Sequence, residues 1–427
     1  MRTRHSICAL TSLLLVAAAC GGDDETTAVT ETPTASTPAS DTKAPDTPPP
    51  TDVPTTEAPT TTAEAMATTT TIDLATLALA FAEPGPYPVG VTTRTLATGN
   101  QVEIWYPAVE GTTGEVTYDV RDFTPPAIRD ILTGDAPATF TFEGARDPEA
   151  AEGTFPVVLF SHGFTGIRLQ SSFLTSHLAS YGMVVAAPDH PSRDLPNVLL
   201  GTANGSREES VRDLLGTLDL VIAEGEEPAS ALSGRIDFEH VVAVGHSAGG
   251  STILGAALDE RVDGYVSLAS GVLLGGGDDT TTTVAPAPLP DKPSFFMAGA
   301  VDQVISATER TKPSFEAVPE PSLLWIIDGV GHNGFDDFCT FGNGTGIIGV
   351  AEASGLGGLL DAQPQLRSLG EDGCIPPAVP VAETFPMIRH GVTSWIRNLF
   401  GIDPKPVGIG PEVADAYDVA VTIEQRP

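Results

Sequence analysis

The chain is predicted to fold as an α/β domain, with a mostly parallel central sheet flanked by helices, on three observations. Short apolar, β-branched runs recur along residues 72–427; amphipathic helical patterns separate several of them; and one run breaks into Gly245-His246-Ser247-Ala248-Gly249 and continues as small apolar residues. Strands alternating with helices are the pattern of a parallel sheet covered on both faces.

In chain order, residues 91–96 and 102–106 are alternating runs separated by Gly99-Asn100, which predicts an entry hairpin. Runs suited to buried strands follow at 157–160, 183–187, 241–244, 265–268, 295–298 and 323–327. Phe173, Leu174, His177, Leu178 and Tyr181 lie on one helical face that Gly182 stops. Val211, Leu214, Leu215, Leu218 and Ile222 form a second face, and Ile388, Val392, Trp395, Ile396 and Leu399 a third, closed by Gly401. Two segments break the alternation: 275–290, rich in Gly, Thr and Pro, reads as a surface loop, and 334–380 as a longer Gly-containing excursion. That excursion is either a lid over a site or an exposed ornament.

The first 71 residues are not read as part of that domain. Arg2 and Arg4 precede an apolar run that ends in Ala17-Ala18-Ala19-Cys20, the layout of a bacterial export signal. The small residues before Cys20, and Gly21-Gly22 after it, resemble a lipobox, so residues 1–20 are expected to be a lipoprotein signal with Cys20 lipidated; an ordinary cleaved signal is the alternative. Residues 21–71 are Thr, Pro, Ala, Ser and acidic residues almost without large apolar side chains, the composition of a disordered tether. Residues 72–427 are then the folded α/β domain, expected to be monomeric.

Of four cysteines, Cys8 goes with the signal and Cys20 with the lipid. Cys339 and Cys374 remain, and in an exported chain they are expected to pair. With no Cys-x-x-Cys or histidine cluster beside them, a metal site is not expected. Lys and Arg number 21 against 56 Asp and Glu, a formal charge of -35. Such a surface repels nucleic acid, which is excluded as a partner.

The chemistry concentrates at Ser247. A serine on a sharp strand-to-helix turn is lifted out of the sheet, and the first free amides of the helix point at the same spot, which is the geometry of an acyl-transfer nucleophile. In this architecture the acid and the base follow the serine along the chain. The run at 295–298 leads into Asp302, and the run at 323–327 leads through Asp328, Gly329, Val330 and Gly331 into His332. Asp302 and His332 are therefore the expected acid and base, with Asp328 and Asp336 as other candidates for the acid. His162 and His190 come too early to serve as the base, His246 is expected to pack structurally, and His390 lies on the terminal helix. The loop Ser161-His162-Gly163-Phe164-Thr165 sits where a second oxyanion amide is needed, so the amides of Phe164 and Ala248 are assigned that role. Phe164 and His190 are candidate walls of the substrate pocket.

Gly85-Pro86-Tyr87-Pro88, Ile104-Trp105-Tyr106-Pro107, Ser161-His162-Gly163-Phe164, Ala187-Pro188-Asp189-His190, the serine turn, Gly299 with Asp302, and Gly331-His332 with Asp336 together resemble a known group. It is the bacterial α/β-hydrolases related to platelet-activating-factor acetylhydrolase and to dienelactone hydrolases. The resemblance implies an α/β-hydrolase fold, a Ser247–Asp302–His332 triad, an oxyanion hole from Phe164 and Ala248, and carboxylic-ester hydrolysis with no cofactor and no metal. Dienelactone hydrolases proper use cysteine where this chain has Ser247. Polyester hydrolases of the cutinase kind are also similar around Gly163-Phe164-Thr165, but they tend to place a Trp after the strand that here ends at Leu268, and this chain has none there. The substrate is thus a small-molecule, lipid or polymer ester. Acetylhydrolase and polyesterase are the nearer alternatives, with peptidase or thioesterase on the same fold as a third; a non-catalytic surface binding protein is the alternative of another class.

Overall fold

A computed structural model describes residues 74–130, 132–271 and 288–427. The expected export signal, Cys20 and the tether lie outside the described residues, as does most of the 275–290 segment.

Twelve strands are present among the described residues: β1 Val89–Thr95, β2 Gln101–Pro107, β3 Glu115–Asp119, β4 Thr139–Glu143, β5 Ala145–Arg146, β6 Phe155–Ser161, β7 Val184–Pro188, β8 Ile236–His246, β9 Gly264–Leu268, β10 Ser294–Gly299, β11 Ser322–Ile327 and β12 Val421–Arg426. Ten of them form one sheet in the order β12-β11-β10-β9-β8-β6-β7-β2-β1-β5, while β3 and β4 pair separately. The pairs from β7 through β11 are parallel; β1 with β2, β2 with β7, and β11 with β12 are antiparallel. This is the α/β architecture that the sequence predicts, with every expected strand in place.

The central strands read as continuous apolar runs because both of their faces are covered. Val158, Phe160, Val242, Val244 and Val266 pack on one side of the sheet, and Val157, Leu159, Val241, Ala243 and Tyr265 on the other, each fully buried. The helix Arg207–Glu226 covers the second face with Leu214, Leu218 and Val221 and starts in a capping box between Ser206 and Glu209, worth about 1 kcal/mol. The helices Ser172–Ser180 and Val381–Leu399 cover the first face, where Phe173 stacks on Phe385.

From β6 the chain crosses to β7 on one side, then returns to place β8 on the other side of β6. Strand order therefore reverses between β6 and β8. Loops leaving the carboxyl ends of these two strands diverge and open a crevice between them, the usual ligand position in such sheets.

The expectations fall short in three places. The 334–380 excursion is not a plain loop: it carries the helices Gly346–Ala351, Gly357–Ala362 and Pro364–Glu371. Its many glycines mask a helical pattern that only the packing of Ile348, Val350 and Leu360 makes worthwhile. The edge strand β12 and the β3–β4 ribbon are also additions, both short and half-exposed, with weak periodicity.

Candidate active site

β8 ends at His246 and the helix Ala248–Ala256 begins two residues later, so Ser247 alone makes the turn. Its φ of 55° and ψ of -120° fall where an L-residue is strained, at a cost on the order of 1–3 kcal/mol. Surrounding structure holds it there: Ser247 N donates to Leu268 O at 2.9 Å, and Ser270 Oγ donates to Ser247 O at 2.7 Å. The flanking glycines are needed for room. A Cβ on Gly245 would lie 2.5 Å from Gly249 O, and one on Gly249 would overlap the Ser161 carbonyl.

Asp302 follows β10, and His332 follows β11. His332 Nε2 lies 2.8 Å from Ser247 Oγ, and His332 Nδ1 lies 2.9 Å from Asp302 Oδ2. The other Asp302 oxygen accepts the amides of Val304 at 2.8 Å and Ile305 at 2.7 Å, which anchors the carboxylate. With Asp302 as acceptor, the imidazole carries its proton on Nδ1 and presents a lone pair to the serine hydroxyl. Three residues chosen from strand ends thus meet in a continuous hydrogen-bonded relay.

The other acid candidates lie elsewhere. Asp328 is exposed past the end of β11. Asp336 is fully buried and accepts from Gln170 Nε2 at 2.7 Å and Phe338 N at 2.9 Å; burial pushes its carboxyl up to about 7.

The loop after β6 brings Phe164 beside Ser247. The amides of Phe164 and Ala248 have no hydrogen-bond partner among the described residues, which leaves both for an incoming oxygen. Two buried side chains absent from the sequence reading shape this loop. Gln170 Oε1 accepts Gly163 N at 3.0 Å, and its amide nitrogen lies 3.1 Å from His246 Nδ1. Arg193 donates twice to His162 O, at 3.1 and 2.9 Å, and once to Ser161 Oγ at 2.8 Å. Nothing in the local sequence marks either residue, because their partners arrive from other strand ends.

His246 packs as expected, its Nε2 on His332 O at 3.0 Å; burial, with His332 alongside, pushes its pKa down to about 3. His190 requires a correction. It is not a pocket wall: it is fully buried, with Nε2 3.0 Å from Ser161 Oγ and Nδ1 3.3 Å from Asp213. The ring instead braces the end of β6 and its loop, packing beside His162, whose Nε2 accepts the His190 amide at 3.1 Å.

A cavity of about 140 Å³ opens over Ser247 and His332, with half-exposed Phe164 on its lining. Val120, Val198, Ile348, Val350, Leu360 and Leu369 supply much of its wall. Nearly half of the lining comes from the helical excursion after His332, whose ends are tied by a Cys339–Cys374 disulfide. The expected pairing is present.

The fold is similar to that of a solved structure, a ferulic acid esterase from Streptomyces cinnamoneus. It superposes with a TM-score of 0.53 at 20% identity, over 81% of this chain and 99% of that one. The chain has the α/β-hydrolase fold. Family models match segments of the chain: residues 82–209 match platelet-activating factor acetylhydrolase, isoform II, and residues 146–305 match chlorophyllase. A cutinase of Thermobifida alba is 26% identical over 183 residues, 42% of this chain and 53% of the cutinase. A platelet-activating factor acetylhydrolase of Cavia porcellus is 28% identical over 246 residues, 49% of this chain and 53% of that protein. The chain thus spans about half the length of the curated relatives it matches.

Proposed function

We propose that the protein is an exported, lipid-anchored serine hydrolase that cleaves carboxylic esters, with a preference for acyl groups of about six carbons. The observation that carries this reading is the relay from Ser247 Oγ through His332 to Asp302, opening into an apolar cavity beside two unpaired amides. Ser247 Oγ attacks the ester carbonyl carbon while its proton passes to His332 Nε2. Asp302 holds the Nδ1–H and stabilises the imidazolium. The oxyanion sits between the amides of Phe164 and Ala248. Collapse expels the alcohol, which takes the proton from Nε2, and leaves an acyl-Ser247. His332 then draws a proton from water, the hydroxide attacks the acyl carbonyl, and the released serine oxygen recovers the proton as the carboxylic acid departs.

The similar proteins, a cutinase, a platelet-activating factor acetylhydrolase and a ferulic acid esterase, all fit ester cleavage. Export and anchoring rest on the 1–20 segment with Cys20, and a disulfide suits an oxidising compartment. A fluorophosphonate probe decides the chemistry: the expected result is one adduct on the Ser247 peptide, and loss of p-nitrophenyl ester hydrolysis in Ser247→Ala. A folded protein that takes no adduct would instead be a binding module. Faster cleavage of a matched amide or thioester would overturn the ester assignment. For anchoring, an alkyne fatty acid fed to bacteria expressing the full chain should label wild type and not Cys20→Ser.

A further inference from the structure

We propose that Asp372 is a positioning residue that clamps the acid loop and the base loop of the triad together, and that the Cys339–Cys374 bridge keeps it in place. The inference rests on the serine-hydrolase reading above. Asp372 is 8% exposed and lies 40 residues beyond His332, near the end of the helical excursion. Its two carboxylate oxygens point in two directions. Oδ1 accepts the backbone amide of His332 at 3.0 Å, and Oδ2 accepts the amide of Gln303, the residue after Asp302, at 2.8 Å. Its carbonyl accepts Asn333 N and Asn333 Nδ2, both at 2.9 Å.

One side chain thus spans the loops that deliver the two partners of the 2.9 Å Asp302–His332 contact. Both of its ties are hydrogen bonds to an anion, roughly twice as strong as neutral ones. On the strand side the loops are joined by Val301 N to Val330 O at 3.1 Å. Asp372 supplies a second, charged tie.

Backbone packing shows that the approach is built in. A Cβ on Gly331 would lie 2.5 Å from Asp372 Oδ1, and one on Gly373 would lie 2.9 Å from the amides of Asn333 and Gly334. Gly373 also has a φ of 93°, which a side chain would strain. The disulfide fixes both sides of this contact. Cys339 sits seven residues after His332, and Cys374 two after Asp372.

The test uses the full folded protein and p-nitrophenyl hexanoate. Asp372→Ala should lower kcat by about 10- to 100-fold, the cost of a small misplacement of the relay, with KM within about twofold. Asp372→Asn keeps one acceptor and turns an NH2 toward the other amide; it should fall between. The downfield proton resonance of the His332–Asp302 bond, recorded without substrate, should broaden or vanish in Asp372→Ala. The paired Cys339→Ser, Cys374→Ser variant should lose kcat similarly, and adding Asp372→Ala to it should cost little more. Should Asp372→Ala not fold, Asp372→Asn and mild reduction of the native protein carry the same comparison. A variant with wild-type kcat and an intact resonance would overturn the proposal, as would losses that multiply with those of the cysteine pair. A wild type that hydrolyses no ester would sink the enzymatic reading instead, and the resonance would still report on the clamp.

Discussion

Lengthening the acyl group is the perturbation that interrogates the cavity above Ser247. Its volume of about 140 Å³ matches an engineered aliphatic cavity of ~150 Å³ that takes up one benzene ring, so a straight acyl chain of about six carbons fills it. Each methylene moved from water into such a lining contributes about 0.8 kcal/mol, roughly fourfold in kcat/KM. Between acetyl and hexanoyl the gain compounds to about 3 kcal/mol, or roughly 200-fold. Longer chains exceed this volume, and the profile should level off or fall. A p-nitrophenyl series from acetate to dodecanoate keeps the leaving group constant and reads this directly. Leu360→Trp, which fills the space from its wall, should bring the hexanoate-to-acetate ratio close to one. An acetate optimum in the wild type, or an unchanged profile in Leu360→Trp, would refute the acyl assignment and favour acetyl-ester chemistry.

Four further outcomes are expected. Asp302→Asn should leave the fold intact and cut kcat by about 10⁴-fold, because an amide facing Nδ1 disfavours the tautomer that accepts the serine proton; steady-state kinetics beside a urea melt separates the two effects. Gly249→Ala should cost about 3 kcal/mol of stability, since its Cβ overlaps the Ser161 carbonyl and the turn must shift; an unchanged urea midpoint would contradict the close packing. Stability should fall on acidification below pH 6.5. Burial first, with Arg193, Arg389 and His332 alongside, holds His162, His177 and His246 down to about 3, and burial holds His390 down to about 4 and His190 well down. The unfolded chain therefore takes up protons from pH 6.5 downward that the folded chain refuses. Burial acts oppositely on Asp336, pushed up to about 7, on Asp213, to about 6, and on Asp337 and Asp194, both pushed up, so these carboxyls offset part of the loss that the five imidazoles cause. Urea midpoints at pH 7, 6 and 5 should drop; a flat series would show that these histidines titrate in the folded state. Finally, reducing Cys339–Cys374, which closes a 35-residue separation, should cost about 4 kcal/mol on chain entropy and be visible as a lower melting temperature with and without dithiothreitol.

Taken alone, the sequence determined what depends on neighbours along the chain: the apolar strands, the stopped helices, the strained serine turn between two glycines, and the order in which Ser247, Asp302 and His332 follow their strands. Periodicity and turn chemistry act over a few residues, so they are written locally. It did not determine that His190 braces a loop instead of lining a pocket, because the same strand-end position serves either role until Ser161 and Asp213 close around the ring. Nor did it reveal that a Gly-containing excursion folds into the apolar wall, since Ile348 and Leu360 offset the helical cost of those glycines only when packed. Gln170 and Asp336 meet across 166 positions, and Asp372 and His332 across 40. Hydrogen bonds that join separate strand ends have no sequence period; only the closed sheet, which brings those ends to one edge, decides them.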